Sequence, residues 1–158
     1  MTIWRLSKAK YANDALSGYG ARLHAGRWHR KGLSMVYLAG SPALALLEKL
    51  VHVNRPEELT GFDWKVVSVT AEERHVQPLS EEDLPSNWDA WPWPASTQRI
   101  GSRWFEEQKS VVLAVPSAVV PRQRNYLLNP THPQFESLEV GEPEPFPIDR
   151  RLITASQR

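Results

Sequence analysis

Prolines interrupt this chain so often that long helices and long central strands have little room to form. The sequence holds 13 prolines among 158 residues. Proline lacks a backbone donor, fixes the φ angle and favours turns. We therefore expect a loop-rich α+β domain rather than a helix bundle, and the length fits a single domain over residues 1–158.

Short apolar segments between the turns predict the strands of this domain. They are rich in aliphatic and β-branched residues, and turn-forming residues bound them. The predicted strands cover residues 3–6, 35–38, 64–70, 111–115, 126–128 and 146–153. The last of these is predicted at a sheet edge, because Pro147 fits an edge better than a centre. Residues 17–31 are polar with little periodicity, and residues 72–94 are also predicted to be loop.

Two helices are predicted. Ser41 suits an N-cap and Pro42 the first helical position of the first helix. The helical period gives this helix one broad apolar face: Ala43, Leu44, Leu46, Leu47, Leu50, Val51 and Val53. Lys49 is predicted to point away from that face, and Arg-Pro at 55–56 to end the helix. The second helix covers residues 96–108, and its inner side is predicted to carry Ile100, Trp104 and Phe105.

Composition excludes several classes of function. Without cysteine the chain has no disulfide, no thiolate catalysis and no cysteine-based metal centre. The 19 basic and 18 acidic residues give a net charge of +1, which indicates no basic face for nucleic acid. No apolar run reaches the roughly 18 residues of a membrane span, and the first residues lack the apolar stretch of a signal peptide. We expect a soluble cytoplasmic protein that binds neither nucleic acid nor a membrane.

Two residues in the first third of the chain are candidates for binding a nucleotide. Arg27 follows Gly26, which permits close backbone approach, and precedes Trp28, which offers an apolar wall. A guanidinium binds a diphosphate bidentately. Tyr37 lies in an apolar strand, where its ring suits stacking on a flat heterocycle. The structural alternatives are a solvated surface arginine and a strand tyrosine with its ring in the core and its hydroxyl at the edge.

Glu48 and Ser117 are the candidates for chemistry. Glu48 flanks the apolar face of the first predicted helix, and a carboxylate near such a face is costly to ionise unless it is paired. A carboxylate also stabilises the oxocarbenium-like transition state of glycosidic cleavage. The alternative is a pair with His52 one turn later. Ser117 follows a buried strand and Pro116, so its hydroxyl either contacts a phosphate or ribose or bonds the local backbone.

The remaining polar and aromatic features point to no specific chemistry. Among the five histidines no pair has the i, i+4 spacing of a helical zinc site, so we expect no metal. Glu-Glu-Asp at 81–83 indicates a solvated loop. Trp-Asp-Ala-Trp-Pro-Trp-Pro at 88–94 indicates either a partner-binding surface or an ordered lid.

Several blocks of the sequence resemble the RES family, which is named for its arginine, glutamate and serine. They read Ala-Gly-Arg-Trp at 25–28, Val-Tyr-Leu-Ala at 36–39, Ser-Pro-Ala-Leu-Ala-Leu-Leu-Glu at 41–48, Val-Pro-Ser at 115–117 and Asn-Tyr-Leu-Leu-Asn-Pro-Thr-His-Pro at 125–133. The blocks occur in the family's order, and the resemblance runs from about Trp4 to Phe135. The departures are Ala25, His29 and Ser102, where the family often has glycine, asparagine and aspartate.

The resemblance implies both a fold and an activity. The implied fold is ADP-ribosyltransferase-like: α+β, with a central mixed or antiparallel split β-sheet and a few flanking helices. Members of the family are toxins that deplete NAD⁺, and at least some transfer its ADP-ribose to inorganic phosphate. The resemblance thus implies a type II toxin and NAD⁺ phosphorylase, a glycosyltransferase that takes NAD⁺ as substrate, inorganic phosphate as co-substrate and no cofactor.

The same resemblance implies which residues form the site. The expected catalytic residues are Arg27, Tyr37, Glu48 and Ser117, and Trp28 and Asn125 are expected to bind substrate. Arg27 is expected to hold the diphosphate, Tyr37 to stack on nicotinamide, and Ser117 to bond a phosphate or the nicotinamide ribose. Glu48 is expected to bond the ribose hydroxyls and to stabilise positive charge as the glycosidic bond stretches.

The acceptor and the partners are open at this point. Water or a protein side chain would serve in place of phosphate, which would make the chain an NAD⁺ glycohydrolase or an ADP-ribosyltransferase acting on a protein. For phosphate, a second anion site is expected at Arg22, Arg30 and Lys31. The resemblance implies an Xre-type helix-turn-helix antitoxin and a homodimer within the complex. A catalytically silent module that binds a nucleotide or the antitoxin is the non-enzymatic alternative, and nucleic-acid cleavage is disfavoured by the balanced charge.

Overall fold

The short apolar segments come together in one mixed, eight-stranded sheet. A computed structural model describes residues 1–154, and residues 155–158 of the predicted domain lie outside the described part. The strands are β1 (Thr2–Lys8), β2 (Val36–Ala39), β3 (Trp64–Thr70), β4 (Val76–Pro78), β5 (Val112–Pro116), β6 (Arg124–Leu128), β7 (Glu139–Val140) and β8 (Glu144–Pro145).

Four α-helices flank the sheet in the described part of the chain. They are α1 (Tyr19–Leu23), α2 (Pro42–Leu50), α3 (Ala95–Glu107) and α4 (Arg151–Thr154). Short 3-10 turns cover Ala9–Asp14, Pro56–Gly61, Glu73–His75, Glu81–Asp83 and Phe135–Ser137. Among residues 1–154 no helix has the length and apolar character needed to cross a membrane.

The sheet opens between its two central strands. Its order is β4-β5-β6-β2-β1-β3-β7, with β8 also pairing with β3, and only β4 and β5 run parallel. Strand β1 pairs with β3 along its whole length, from Thr2 opposite Thr70 to Lys8 opposite Trp64. Its register with β2 is the single pair Trp4 and Ala39. The predicted α+β fold with a split sheet is therefore confirmed.

The core divides into three buried clusters around this opening. Alternation along β2 places Val36 and Leu38 in one cluster with Ile3 of β1. The neighbouring residues Met35 and Tyr37 pack in a second cluster with aromatic residues of α3. The third cluster holds the inner face of α2 against β1 and β3 through Leu6, Leu44, Ala45 and Trp64. The second and third clusters meet across β2, next to the opening.

Helix α2 begins where the sequence predicts and ends earlier. The Ser41 hydroxyl accepts from the Leu44 amide at 3.1 Å, which confirms the predicted cap. The helix ends at Leu50, so the prediction that residues 55–56 end it is wrong. Leu47 and Val51 are 41% and 56% exposed, against the prediction. The predicted apolar face covers so much of the helix surface that periodicity alone does not define which of its residues face the sheet.

Lys49 lies on the buried side of α2 and not on its outer side. The inner face is centred on Leu44 and Ala45, which are 3% and 7% exposed. Residues four apart share a helix face, so Glu48 and Lys49 continue this face one turn later. Lys49 is half-buried, and the prediction that it points away from the core is wrong.

Three other predictions need correction. Residues 17–31 contain helix α1 and an isolated bridge between Gly26 and His29. Residues 72–94 contain β4, which pairs with β5. The strand predicted at 146–153 is wrong, because regular pairing stops at Pro145 and helix α4 follows. The prolines at 145 and 147 lack the amide donors that a longer strand would need. Helix α3 is confirmed, with Trp104 and Phe105 buried.

Candidate active site

The site centres on the Glu48 carboxylate at the inner face of α2. Its Oε1 atom accepts from the Ser117 hydroxyl at 2.8 Å and from the Asn125 amide at 2.5 Å. Asn125 lies on β6 opposite Ala39 and Val115, where the second and third clusters meet. Within residues 1–154 Oε2 accepts no hydrogen bond. One oxygen of the carboxylate is thus fixed while the other is available.

Ser117 uses all of its bonding capacity to hold this arrangement. It is 1% exposed, and its hydroxyl accepts from the amides of Val119 at 3.1 Å and Val120 at 3.0 Å while donating to Glu48. The alternative of local backbone bonding is therefore correct, and the hydroxyl also orients the carboxylate. The hydroxyl has no free donor for a phosphate or ribose in this state.

Asn125 contributes a donor and leaves an acceptor unused. Its Nδ2 donates to Glu48, and its Oδ1 is buried without a hydrogen-bond partner among the described residues. A flipped amide would place two acceptors against each other, so the orientation of the side chain is determined by Glu48. A buried acceptor without a donor costs free energy that a ligand hydroxyl would recover.

Arg27 connects the site to the tryptophan-rich segment at residues 88–94. Its Nη1 donates to the Trp88 carbonyl at 2.6 Å and to the Ala90 carbonyl at 2.9 Å. Burial lowers the pKa of Arg27, while Asp89, Glu48 and Tyr37 raise it, which places these groups around the guanidinium. The solvated-arginine alternative is wrong, because the side chain is half-buried and bonded. Nε and Nη2 remain available for a ligand.

Tyr37 has its hydroxyl inside the protein. The His29 Nε2 atom lies 3.0 Å from the carbonyls of Ala21 and His24, so it carries the proton. His29 Nδ1 then accepts from the Tyr37 hydroxyl at 2.7 Å, and that hydroxyl accepts from the Trp28 amide at 3.2 Å. Burial raises the pKa of Tyr37 and lowers that of His29. The alternative that placed this hydroxyl at an edge is wrong.

Close packing around this hydroxyl explains the glycine at position 26. A Cβ atom added at Gly26 would lie 2.8 Å from the Tyr37 hydroxyl oxygen and 2.9 Å from the His29 ring. Trp28 is 2% exposed and packs in the second cluster with Met35. The prediction that its side chain forms a wall for a ligand is therefore wrong, since the indole is enclosed by core residues.

Arg5 is the residue of the site that sequence reasoning missed. It lies on β1 at the opening of the sheet, and its Nη1 donates across the opening to the Tyr37 carbonyl at 2.9 Å. Its Nε is buried without a partner among the described residues. Burial lowers the pKa of Arg5 to about 10. A charged residue inside an otherwise apolar strand was the signal that could have found it.

The cations expected to bind phosphate lie at the protein surface. Arg22, Arg30 and Lys31 are all exposed, and Arg30 forms an ion pair with Glu106 on α3. His52 donates no hydrogen bond to Glu48 in the described part of the chain. Burial lowers the pKa of His52, while Glu48 raises it and Lys49 and Arg27 lower it. Within residues 1–154 no three His, Asp or Glu side chains cluster as a metal site would require.

Comparison with known proteins identifies a family and relatives that resemble this chain. The family described as RES domain matches residues 2–149. A Photorhabdus laumondii protein named Toxin Res is 43% identical over 159 residues, covering 99% of this chain and 100% of that protein. A Sphingobium protein named Prs ADP-ribosylating toxin is 34% identical over 155 residues, covering 96% of each chain.

A solved structure shares the architecture. A chain in the crystal structure of the M. tuberculosis MbcT–MbcA toxin–antitoxin complex superposes with a TM-score of 0.74 at 18% identity, covering 98% of this chain and 87% of that one. This likeness confirms the ADP-ribosyltransferase-like fold that the resemblance implied. Because the match spans nearly the whole chain and the relatives are this similar in sequence, the chain belongs to the RES-domain toxin family.

Proposed function

We propose that this chain is the toxin of a type II toxin–antitoxin system, and that it cleaves the nicotinamide–ribose bond of NAD⁺ and transfers ADP-ribose to inorganic phosphate. The observation that carries the proposal is the Glu48 carboxylate, fixed through Oε1 by Ser117 and Asn125 while Oε2 is free. A preorganised negative charge of this kind stabilises the developing oxocarbenium ion.

The reaction needs charge stabilisation more than proton transfer. The bond between ribose C1 and the nicotinamide nitrogen breaks, and its electron pair neutralises the pyridinium, so nicotinamide leaves without a general acid. Glu48 Oε2 faces the positive charge that develops at C1. A phosphate oxygen then forms the new bond to C1, which gives ADP-ribose 1″-phosphate and nicotinamide. Orientation and electrostatics supply the acceleration.

Four further groups have assigned roles in binding. The Nε and Nη2 donors of Arg27, together with Arg5, hold the diphosphate. The buried Asn125 Oδ1 accepts from a ribose hydroxyl. The Tyr37 ring stacks on nicotinamide, and its orientation is fixed by the bonds from its hydroxyl to His29 and Trp28. Ser117 positions Glu48 and does not contact the ligand.

A second candidate function, transfer of ADP-ribose to a protein, is supported by the name of a relative. The Sphingobium relative is named an ADP-ribosylating toxin, which favours a protein side chain as the acceptor. The same oxocarbenium ion would accept that nucleophile or water, so the Glu48 site serves all three reactions. The acceptor therefore has to be identified by measurement of the product.

A helix-turn-helix antitoxin of Xre type is the proposed partner. The MbcT neighbour was solved together with an antitoxin, and the shared fold supports an equivalent partner for this chain. We also propose a homodimer of the toxin inside that complex. Co-purification with the antitoxin, followed by mass measurement of the intact complex, tests both: a stoichiometry with one toxin copy contradicts the dimer.

The test of the proposed activity is a product analysis. The purified chain is incubated with NAD⁺ with and without inorganic phosphate, and nicotinamide and ADP-ribose products are separated by chromatography. Phosphate-dependent loss of NAD⁺ with a phosphorylated ADP-ribose supports the phosphorylase. Equal loss without phosphate indicates a hydrolase or self-modification and contradicts phosphorolysis. Absence of loss indicates either a missing protein acceptor or a module that binds without reaction.

A further inference from the structure

A tight turn of the backbone presents Arg27 to the site. Gly26 and His29 pair through two hydrogen bonds, from the Gly26 amide to the His29 carbonyl at 3.1 Å and from the His29 amide to the Gly26 carbonyl at 3.4 Å. Arg27 and Trp28 form the tip between them. Because Arg27 lies inside this turn, whatever holds the turn in place also sets the position from which the guanidinium extends.

Gln98 of α3 binds both ends of this turn. Its Nε2 atom donates to the Gly26 carbonyl at 3.1 Å and to the His29 carbonyl at 3.4 Å. A carbonyl oxygen has two lone pairs, so each of these oxygens accepts from Gln98 as well as from the paired amide. A flipped side-chain amide would place Oε1 against two carbonyl oxygens, so the contacts themselves determine which end of Gln98 faces the turn.

The packing of α3 does not depend on this glutamine. Gly101 lies so close to the turn that an added Cβ atom would be 1.9 Å from the Trp28 carbonyl oxygen. Trp104 and Phe105 are 5% and 9% exposed and pack with the Trp28 side chain in the second cluster. Gln98 is half-buried and adds a polar contact to this apolar packing. Removal of its donor should therefore loosen the turn and leave the helix in place.

The Arg27 guanidinium is bound to the segment that leads into α3. Its Nη1 donates to the Trp88 and Ala90 carbonyls, and Gln98 lies in the first turn of α3. Both protons of Nη1 are thereby used, so the direction of Nε and Nη2 depends on how the turn is placed relative to this segment. Residues 88–98 thus hold Arg27 at its backbone and at its guanidinium.

We propose that Gln98 is a positioning residue for Arg27: it fixes the turn at 26–29 so that Nε and Nη2 of the guanidinium face the diphosphate of NAD⁺. Donors of a guanidinium bind phosphate oxygens well only while their orientation is maintained. Gln98 acts through the turn and does not contact the ligand. The inference deepens the proposed function and rests on it for the identity of the ligand, but not for the contact between Gln98 and the turn.

Binding without turnover measures this role. ADP-ribose, which contains the diphosphate and no nicotinamide, is titrated calorimetrically into the wild type, Gln98→Met and the control Gln77→Met, which changes an exposed glutamine on β4. Methionine keeps the side-chain length and the helix propensity and removes the donor. We expect Gln98→Met to weaken ADP-ribose binding roughly threefold to tenfold, as loss of neutral hydrogen bonds does, while Gln77→Met binds like the wild type. Gln98→Asn, whose amide is withdrawn by one methylene, should show the same loss.

A double-mutant cycle with Arg27→Met separates positioning from a general loosening of the fold. If Gln98 acts through Arg27, Gln98→Met has little further effect on ADP-ribose binding once the guanidinium is gone. A merely structural role would weaken binding by the same factor in both backgrounds. The proposal is overturned by equal factors in the two backgrounds, by wild-type affinity of Gln98→Met, or by a wild type that does not bind ADP-ribose.

The kinetics of NAD⁺ cleavage distinguish this inference from the proposed function. We expect Gln98→Met to raise the KM for NAD⁺ while kcat changes little, because Glu48 and its partners are untouched. A wild type that binds ADP-ribose through Gln98 and Arg27 yet releases no nicotinamide contradicts the proposed activity alone. A wild type that releases nicotinamide, for which Gln98→Met leaves the KM for NAD⁺ unchanged, contradicts the positioning role alone.

Discussion

At the scale of single residues, one carboxylate oxygen is held by the buried Ser117 and the half-buried Asn125. Ser117 is fixed by the amides of Val119 and Val120 and donates to Glu48, so the orientation of Glu48 depends on the turn that follows β5. Asn125 reaches the same oxygen from β6. The carboxylate is therefore oriented by two neighbouring strands, which leaves Oε2 in a defined place.

Removal of the Ser117 hydroxyl should affect both catalysis and stability. We expect Ser117→Ala to lose about 1–3 kcal/mol in the free energy of unfolding, because two partly buried amides lose their acceptor. We also expect kcat to fall more than KM rises, since the hydroxyl orients Glu48 and does not contact the substrate. Ser102→Ala, which removes a buried serine bonded to the Arg30 amide, is the control and should leave kcat unchanged. A wild-type kcat for Ser117→Ala contradicts the positioning role.

The Tyr37 hydroxyl is a second test at this scale. Tyr37→Phe leaves His29 Nδ1 without a donor and the Trp28 amide without an acceptor. We expect a loss of about 1–3 kcal/mol in the free energy of unfolding, measured by urea denaturation. Tyr11→Phe changes a ring that is 56% exposed and should leave the urea midpoint unchanged. Equal midpoints for the two variants would show that the hydroxyl bonds contribute nothing.

Protonation of Lys49 should make the stability of the protein depend on pH. Burial, and then the charges of Arg5 and Lys8, lower the pKa of Lys49 from 10.5 to about 8, so the ammonium is lost as pH rises through about 8.

The folded state binds fewer protons than the unfolded state between pH 8 and 10.5, so we expect the wild type to gain stability over that window relative to Lys49→Met. Urea denaturation of both proteins from pH 7 to pH 10 measures the change in the free energy of unfolding. A difference between the two proteins that stays constant over this range contradicts the prediction.

At the scale of elements, helix α2 connects folding to chemistry. The Ser41 cap determines where the helix starts. Glu48 and Lys49 lie one helical turn after the buried residues Leu44 and Ala45. The loop at residues 88–94 is fixed from the other side, because Arg27 donates to its Trp88 and Ala90 carbonyls. The site is thus framed by a capped helix and by a segment bound through one arginine.

The cap of α2 has a measurable energy. Ser41→Ala removes the acceptor of the Leu44 amide, and we expect a loss of about 1 kcal/mol in the free energy of unfolding. Urea denaturation measures the change. Ser86→Ala in an exposed loop is the matched control, with no expected change. A Ser41→Ala midpoint equal to that of the control would mean that packing alone determines the start of α2.

At the scale of the whole molecule, the sequence predicted the longer strands and the two main helices, but it did not predict β4, β7 and β8 or how the elements share the core. Local patterns predicted β3, β5, α3 and the start of α2. They failed for residues 146–153, where paired prolines end regular structure, and for Lys49, whose environment depends on β1. Contacts between distant segments cannot be derived from local periodicity.

The same limit applies to the site. The resemblance named Glu48, Ser117 and Asn125, and the structure brings them into direct contact. It also named Trp28, whose side chain is in the core, and it missed Arg5. The position of Arg5 in the site depends on the opening between β1 and β2, and this opening exists only once the sheet has assembled.

The most direct test of the account is the rate of nicotinamide release from NAD⁺ by Glu48→Gln compared with the wild type, with inorganic phosphate saturating. Glutamine keeps the shape and removes the charge that faces ribose C1. The account predicts that the rate falls on the order of a hundredfold or more, while NAD⁺ binding is retained. A Glu48→Gln variant that releases nicotinamide at the wild-type rate would contradict the central role of this carboxylate.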